Sequence, residues 1–384
     1  MIYVDNNATT RISPEVLNAM QPFLTESYGN PSSMHSLGQE ARKAVNEARE
    51  KTALFLEARH DSEILFTGGG TESNNLAIRG ILRTLPTRSH LVTTQVEHPS
   101  VLNVFKELAS EGYAVTFLGV DSEGRLDLNE LRDALSSDTA LVSVMAVNNE
   151  TGVIFPVEEI AQCVKSCGAL FHVDAVQAVG RIPISLKTGA IDLLSISGHK
   201  LHAPKGVGAL YVKKGTPLSA LTVGGAQERN KRAGTENVAS IVGLGKACEM
   251  ADEDFAGRNA VIVRLRNKLE QGILKSVENT CVNGGGTARV TNTTNITFKG
   301  LDSESVLLAL NEEGICASSG SACTTGAVQF SHVLLAMGFS EEHVRGAIRF
   351  SLGRFNQEEE INVILQKIPD IISRLRAIHQ TSGV

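Results

Sequence analysis

The sequence of 384 residues has no apolar run near the ~18 residues that a membrane-spanning helix needs, so no bilayer-spanning segment is expected. Its six cysteines are too few and too scattered to form a disulfide framework at this length. Met1 to Thr10 hold Asp5 and polar amides where a secretory leader would carry a basic segment and an apolar core, so no leader is expected. Strong charge is missing too, since a formal net charge of −6 gives neither nucleic acid nor an anionic membrane a reason to bind. There are no solenoid repeats and no low-complexity tail. These absences leave a protein of a reducing cytoplasm as the expectation.

What is present is ordinary globular composition, 42% hydrophobic and 20% charged, in a chain long enough for about two or three domains of ~150 residues. A repeating unit dominates the first half. Glu63–Thr67 reads as a strand, Gly68-Gly69-Gly70-Thr71 as a loop and Glu72–Leu85 as a helix. Leu91–Val96 and Leu141–Val147 are further strands, each followed by a polar loop and a helix, over Val101–Ser110 and Val157–Ser166. Ala169–Val173 and Ile191–Ile196 follow, ending in Asp174-Ala175-Val176-Gln177 and in Ser197-Gly198-His199-Lys200. Strands alternating with helices predict an α/β fold, a mostly parallel sheet with helices on both faces. Beyond Gly206 the pattern changes to long helical sequence over Val238–Val277 and then to short strands and helices. This predicts a smaller C-terminal α+β domain. The expected division is 15–256 for the large domain, with 1–14 and 257–384 forming the small one.

Polar residues at every strand exit converge on one sheet edge, where α/β folds bind ligands. Lys200 lies there on a glycine-flanked loop; it is either a solvated surface lysine or an amine that condenses with a carbonyl cofactor. Gly68-Gly69-Gly70-Thr71, between strand and helix, is either a tight turn or a phosphate cradle in which free N–H groups and the helix dipole meet an anion. No lysine follows it in the manner of a nucleotide-binding loop. Asp174 reads as a helix cap or as the carboxylate that keeps a pyridine nitrogen protonated. Gln177, three residues on, offers a donor to a phenolate oxygen of the same ring, and His98 reads either as a satisfied surface or core histidine or as a residue that stacks on a flat ring. A lysine, an aspartate, a glutamine, a histidine and a phosphate loop at one edge together describe a pyridoxal 5′-phosphate site.

The chain resembles the cysteine desulfurases of the class V aminotransferase-like, fold type I pyridoxal phosphate enzymes, in the branch serving nitrogen fixation and iron–sulfur cluster assembly. The resemblance runs from Tyr3-Val4-Asp5-Asn6-Asn7-Ala8-Thr9-Thr10 to Arg349-Phe350-Ser351-Leu352-Gly353-Arg354-Phe355. Its most specific stretches are Gly29-Asn30-Pro31-Ser32-Ser33, Val96-Glu97-His98, Asn148-Asn149-Glu150-Thr151-Gly152, His172 to Gln177, Ser197 to Lys200, and Ser318-Ser319-Gly320-Ser321-Ala322-Cys323-Thr324.

The resemblance implies Lys200, rather than Lys205, as the Schiff-base lysine, and Gly70, Thr71, Ser197 and His199 around the phosphate. It implies Thr235 on the phosphate of a neighbouring subunit, so that a homodimer completes the site. Asp174, Gln177 and His98 would hold the ring, while Asn149 and Arg349 would clamp the substrate carboxylate, a task suited to the guanidinium fork. Cys323, set among small polar residues and glycines, would be the nucleophile that takes sulfur from L-cysteine, leaving L-alanine. Lys200 and His98 are both candidates for the base at Cα.

The expected sulfur acceptor is an iron–sulfur scaffold or another acceptor protein. No resident metal is expected, and Cys323 would meet an iron–sulfur cluster only during transfer. Alternatives are a selenocysteine lyase or small-substrate aminotransferase on the same fold, or a sulfur carrier without turnover. Cys163 and Cys167 read as packing residues rather than a metal site, and Cys316, in an apolar context, as buried. The Gly68–Gly70 run is more glycine-rich than in relatives, which implies phosphate contacts made mostly by backbone. Thr324 to Gln329 and the short C-terminus also depart from the pattern and bear on scaffold docking.

Overall fold

Apolar runs in this chain become strands buried on both faces, the signature of a covered parallel sheet. The computed structural model describes residues 1–253, 255–319 and 330–381. Its strands are β1 (Ile2–Tyr3), β2 (Ile64–Thr67), β3 (His90–Thr94), β4 (Ala114–Leu118), β5 (Thr139–Met145), β6 (Leu170–Asp174), β7 (Leu193–Ser197), β8 (Gly208–Val212), β9 (Thr280–Val282), β10 (Thr293–Phe298), β11 (Ile315–Cys316) and β12 (Ala347–Ser351). Seven of them form the main sheet, in the order β2-β8-β7-β6-β5-β3-β4. Neighbours from β4 through β3, β5 and β6 to β7 are parallel. Only β8 runs against its two neighbours.

Successive side chains along each strand serve opposite faces. Ile64 and Phe66 of β2 join one buried cluster with Val142, Val173 and Ile196, while Leu65 joins another with Leu91, Leu141 and Leu193. Helices cover both. Those that matter for the site are α1 (Pro14–Met20), α2 (Ser36–Phe55), α3 (Gly70–Leu82), α4 (Pro99–Ser110), α5 (Val157–Ser166), α6 (Val238–Glu253) and α7 (Phe255–Ser276). The expectation of a mostly parallel α/β sheet flanked by helices is met.

A separate apolar cluster gathers Leu265, Leu269 and Ile273 of α7, Ile296 and Phe298 of β10, Ile348 and Phe350 of β12, and Ile361, Ile364 and Ile368 of the C-terminal helix Glu358–Thr381. Val4 belongs to it, and β1 pairs in parallel with β11. The N-terminal arm therefore packs with the C-terminal third of the chain. Here β12, β10 and β9 form a small antiparallel sheet.

The helical expectation over 238–277 is met by α6 and α7, while other local readings need completion or correction. Strand β4 and the helix Leu128–Ala134 carry no signal that pattern reading found. As an edge strand, β4 leaves Ala114 exposed and its next three residues half-buried, so it has no continuous apolar run to read. Cys316 is half-buried rather than buried, as is Cys167, whereas Cys163 is buried.

Candidate active site

The carboxyl ends of β6 and β7, the β2–α3 junction and the β3–α4 junction open on one cavity of about 280 Å³. Gly70, Thr71, His98, Asn149, Asp174, Gln177, Ser197, His199 and Lys200 all line it. Nine predicted residues separated by up to 130 positions thus meet at one sheet edge.

Lys200 follows β7 through a single turn, Gly198–Lys200. Its ammonium donates to the carbonyl of Ala8 at 2.8 Å and to that of Asn7, both in the N-terminal arm. Burial pushes the amine down to about 7, and the Arg181 and Arg349 guanidiniums push the same way against Asp5 and Asp174. A lysine at that value is half unprotonated near neutrality, as a nucleophilic amine must be.

Asp174 closes β6 and is 6% exposed. Its Oδ1 accepts from the Val176 N–H at 3.0 Å and its Oδ2 from the Asn74 side-chain amide at 2.7 Å. The same Asn74 amide nitrogen donates to Ser100 Oγ at 2.9 Å. That hydroxyl lies 2.8 Å from His98 Nδ1, which also accepts from the Ser100 N–H at 3.1 Å. Nδ1 is therefore an acceptor, and the neutral ring carries its proton on Nε2. Burial lowers the His98 pKa, Asp174 opposes the shift, and Lys200 and His332 reinforce it. Its neighbour Glu97 is fully buried, with one oxygen lacking a partner among the described residues; burial raises its carboxyl to about 8 and Asp174 adds to the rise.

The glycine turn is shaped by close approach. Gly69 has φ +148°, and a Cβ on Gly70 would come within 2.8 Å of Val176 Cγ2. The backbone at the start of α3 thus reaches the cavity next to Ser197, where an anion would meet free N–H groups and the dipole. The helix starts at Gly70, two residues before the expected Glu72. Gln177 donates to the Asn7 carbonyl at 3.0 Å, and its side-chain oxygen accepts from Arg181. His199 is half-buried, its Nδ1 3.2 Å from Thr9 Oγ1, and burial together with Lys200 and Lys205 holds it down to about 4.

Arg349, in β12, is 3% exposed and pairs with Asp5 at 2.8 Å. It also donates to the Asn149 carbonyl oxygen at 3.0 Å, so it reaches the cavity rim although it does not line the cavity. Thr235 is exposed and stands apart from the cavity of its own chain. Cys323 lies outside the described residues.

Sequence reading missed Asn7, Ala8, Asn74, Ser100 and Arg181. Lys200 takes the first two through backbone carbonyls, which leave no side-chain signature. Asn74 and Ser100 sit within helices, where a polar side chain is ordinarily a surface residue.

An α/β sheet edge bearing a low-pKa lysine, a buried carboxylate and a glycine-lined helix start defines a group-transfer site. The aminotransferase class-V family matches residues 2–364, and the chain belongs to that family. Cysteine desulfurase 2 of Trichormus variabilis is 56% identical over 386 residues, covering 100% of this chain and 96% of its own. A solved NifS-like protein superposes with a TM-score of 0.92 at 40% identity, over 97% of this chain and 100% of its own. A structure described as SspA in complex with cysteine superposes at 0.82 with 35% identity, over 93% of this chain and 100% of that one.

Proposed function

We propose that this protein is a pyridoxal 5′-phosphate-dependent cysteine desulfurase that moves sulfur from L-cysteine to Cys323 and on to an acceptor protein. The observation carrying the reading is the pairing of the low-pKa Lys200 amine with the buried Asp174 carboxylate across one cavity, in a chain similar end to end to a curated cysteine desulfurase.

The residues present fit the cofactor. A cavity of about 280 Å³ offers an amine for an aldehyde and a carboxylate for a pyridinium, and the glycine-lined start of α3 with Ser197 suits a phosphate. When bound, that cofactor supplies an electron sink for charge developing at the substrate Cα. Lys200 would hold it, Asp174 would keep its ring nitrogen protonated, and Gly70, Thr71, Ser197 and His199 would surround its phosphate. Gln177 would bind the ring oxygen, and His98 would cover the ring face. Arg349 and Asn149 would hold the substrate carboxylate. Lys200 and His98 are both in reach of the cavity as bases for the Cα proton.

The Cys323 thiolate would attack the substrate sulfur. The C–S bond breaks with its electron pair left on carbon, an S–S bond forms, and protonation releases L-alanine, so no external oxidant or reductant enters this half-reaction. The Cys323 persulfide would then pass to an iron–sulfur scaffold or another sulfur acceptor, in nitrogen fixation or general cluster assembly. We read the active form as a cytoplasmic homodimer in which Thr235 reaches the neighbouring subunit's phosphate. We divide the chain into 15–256 and 1–14 plus 257–384, a division supported by the separate apolar cluster around α7 and β10. Among the described residues no helix is long and apolar enough to cross a membrane.

The test is Cys323→Ala assayed with L-cysteine and a physiological reductant. Loss of sulfide release with retained cofactor and cysteine binding supports the mechanism. Full-rate release would favour a lyase in which no enzyme thiol takes part, and protein unable to take up the cofactor would favour a carrier.

A further inference from the structure

A second cavity of about 50 Å³, which shares Lys200 with the cofactor cavity, is lined by Arg181, Lys200, His202, Arg258 and Arg354. Asn6, Thr10, Asn259, Thr291 and Asn292 supply further polar groups, and the described residues around it include no aspartate or glutamate. Arginine cannot shed its proton at neutral pH, so a half-buried cluster of this kind favours an anion.

Two of the guanidiniums have donors to spare. Arg181 spends Nη1 on the carbonyl and side-chain oxygens of Gln177, and among the described residues no carboxylate pairs with it. Arg354 stacks at 5.7 Å from the Phe355 ring centroid and forms no salt bridge among the described residues, although Glu15 feels its charge. Arg258 is engaged through the Met250 carbonyl at 2.7 Å and adds charge to the wall. His202 donates from Nδ1 to the Arg11 carbonyl at 2.9 Å. Burial and the nearby Arg354, Arg181 and Arg258 charges hold its ring down to about 4, an independent sign that the three cations converge there.

We propose that this cavity is a binding site for a small inorganic oxyanion, held by Arg181 and Arg354 and distinct from the phosphate cradle at Gly70. A site of this volume takes roughly four water-sized groups at ~10–15 Å³ each, which suits a tetrahedral oxyanion and excludes a nucleotide or an amino acid. The anion offsets charge that burial leaves uncompensated. Because Arg181 also donates to Gln177, it links the anion to the wall of the cofactor cavity.

The experiment uses cofactor-loaded protein, so that the phosphate cradle is filled. Crystals soaked in selenate are expected to show an anomalous selenium peak within hydrogen-bond distance of Arg181 and Arg354. In solution, sulfate is expected to raise Tm along a saturable curve at constant ionic strength set by gluconate, an anion too large for the cavity. Arg354→Gln and Arg181→Gln are expected to weaken that apparent affinity at least tenfold. Absence of the peak, or an affinity unchanged in both variants, overturns the proposal. If the variants do not fold, the soaked wild-type crystal decides alone.

Discussion

Arg349 donates from Nη1 to the carbonyl oxygen of Asn149 at 3.0 Å, and its buried Nε has no partner among the described residues. A buried N–H without an acceptor costs about 1–3 kcal/mol, a penalty that a carboxylate arriving beside it removes. Arg349→Lys keeps the charge and loses the fork. We expect it to raise KM for L-cysteine roughly 30-fold, the worth of ~2 kcal/mol for a charged hydrogen bond, with kcat changed much less. Steady-state kinetics on the loaded enzyme check this; an unchanged KM would remove Arg349 from the substrate site.

Lys200 should titrate far below an ordinary lysine. In cofactor-free protein, its reaction with a small aldehyde should rise through an apparent pKa of about 7, well under the ~10.4 of a free lysine. Arg181→Met should move that midpoint upward, because the guanidinium lowers it. The folded value lies below the unfolded one, so the unfolded chain binds more protons between about pH 7 and ~10.4. The penalty Lys200 places on stability is therefore full below pH 7 and is relieved as pH rises through that window. A midpoint near 10 in the reactivity profile would contradict this account.

Asn74 joins Asp174 to Ser100 with one amide nitrogen, at 2.7 Å and 2.9 Å. Asn74→Ala leaves one oxygen of a buried carboxylate unsatisfied and loosens the Ser100 contact that fixes the His98 tautomer. Stability should fall by about 1–3 kcal/mol in denaturant melts. The pH profile of kcat/KM should shift as well, a change that simple loss of packing would not produce. Asn74→Asp, which sets two carboxylates together, should be worse than Asn74→Ala.

Glu228 and Arg49 form a bidentate pair at 2.7 Å and 2.8 Å, with side chains 4% and 8% exposed. Glu228 also accepts from the Phe66 N–H at 3.1 Å, and residues 228–230 all have positive φ. The pair ties α2 to the loop leading to Thr235. Removing one partner leaves a buried charge, so Glu228→Ala should cost about 3–5 kcal/mol. Replacing both Arg49 and Glu228 with apolar residues should cost less than the single change, which a double-mutant cycle would read.

Sequence by itself determined the periodic skeleton and the chemistry-bearing residues. Alternation of buried strands with helices is written in local apolar runs, and Asp174, Gln177, Ser197 and Lys200 stand directly at strand exits. Each is legible because backbone geometry carries a strand's end to the same edge wherever it lies in the chain. Tertiary structure decided what depends on distant groups. The carbonyls of Asn7 and Ala8 meet Lys200 only because β1 pairs with β11 and draws the arm across the sheet edge. Asn74 becomes a bridge only because α3 packs its buried side against β6 and α4. The low pKa of Lys200 belongs to neither residue nor motif, since burial and the Arg181 and Arg349 charges that cause it come from 19 positions before it and 149 after. Electrostatic fields and desolvation act through space, and the order of residues along the chain does not record them.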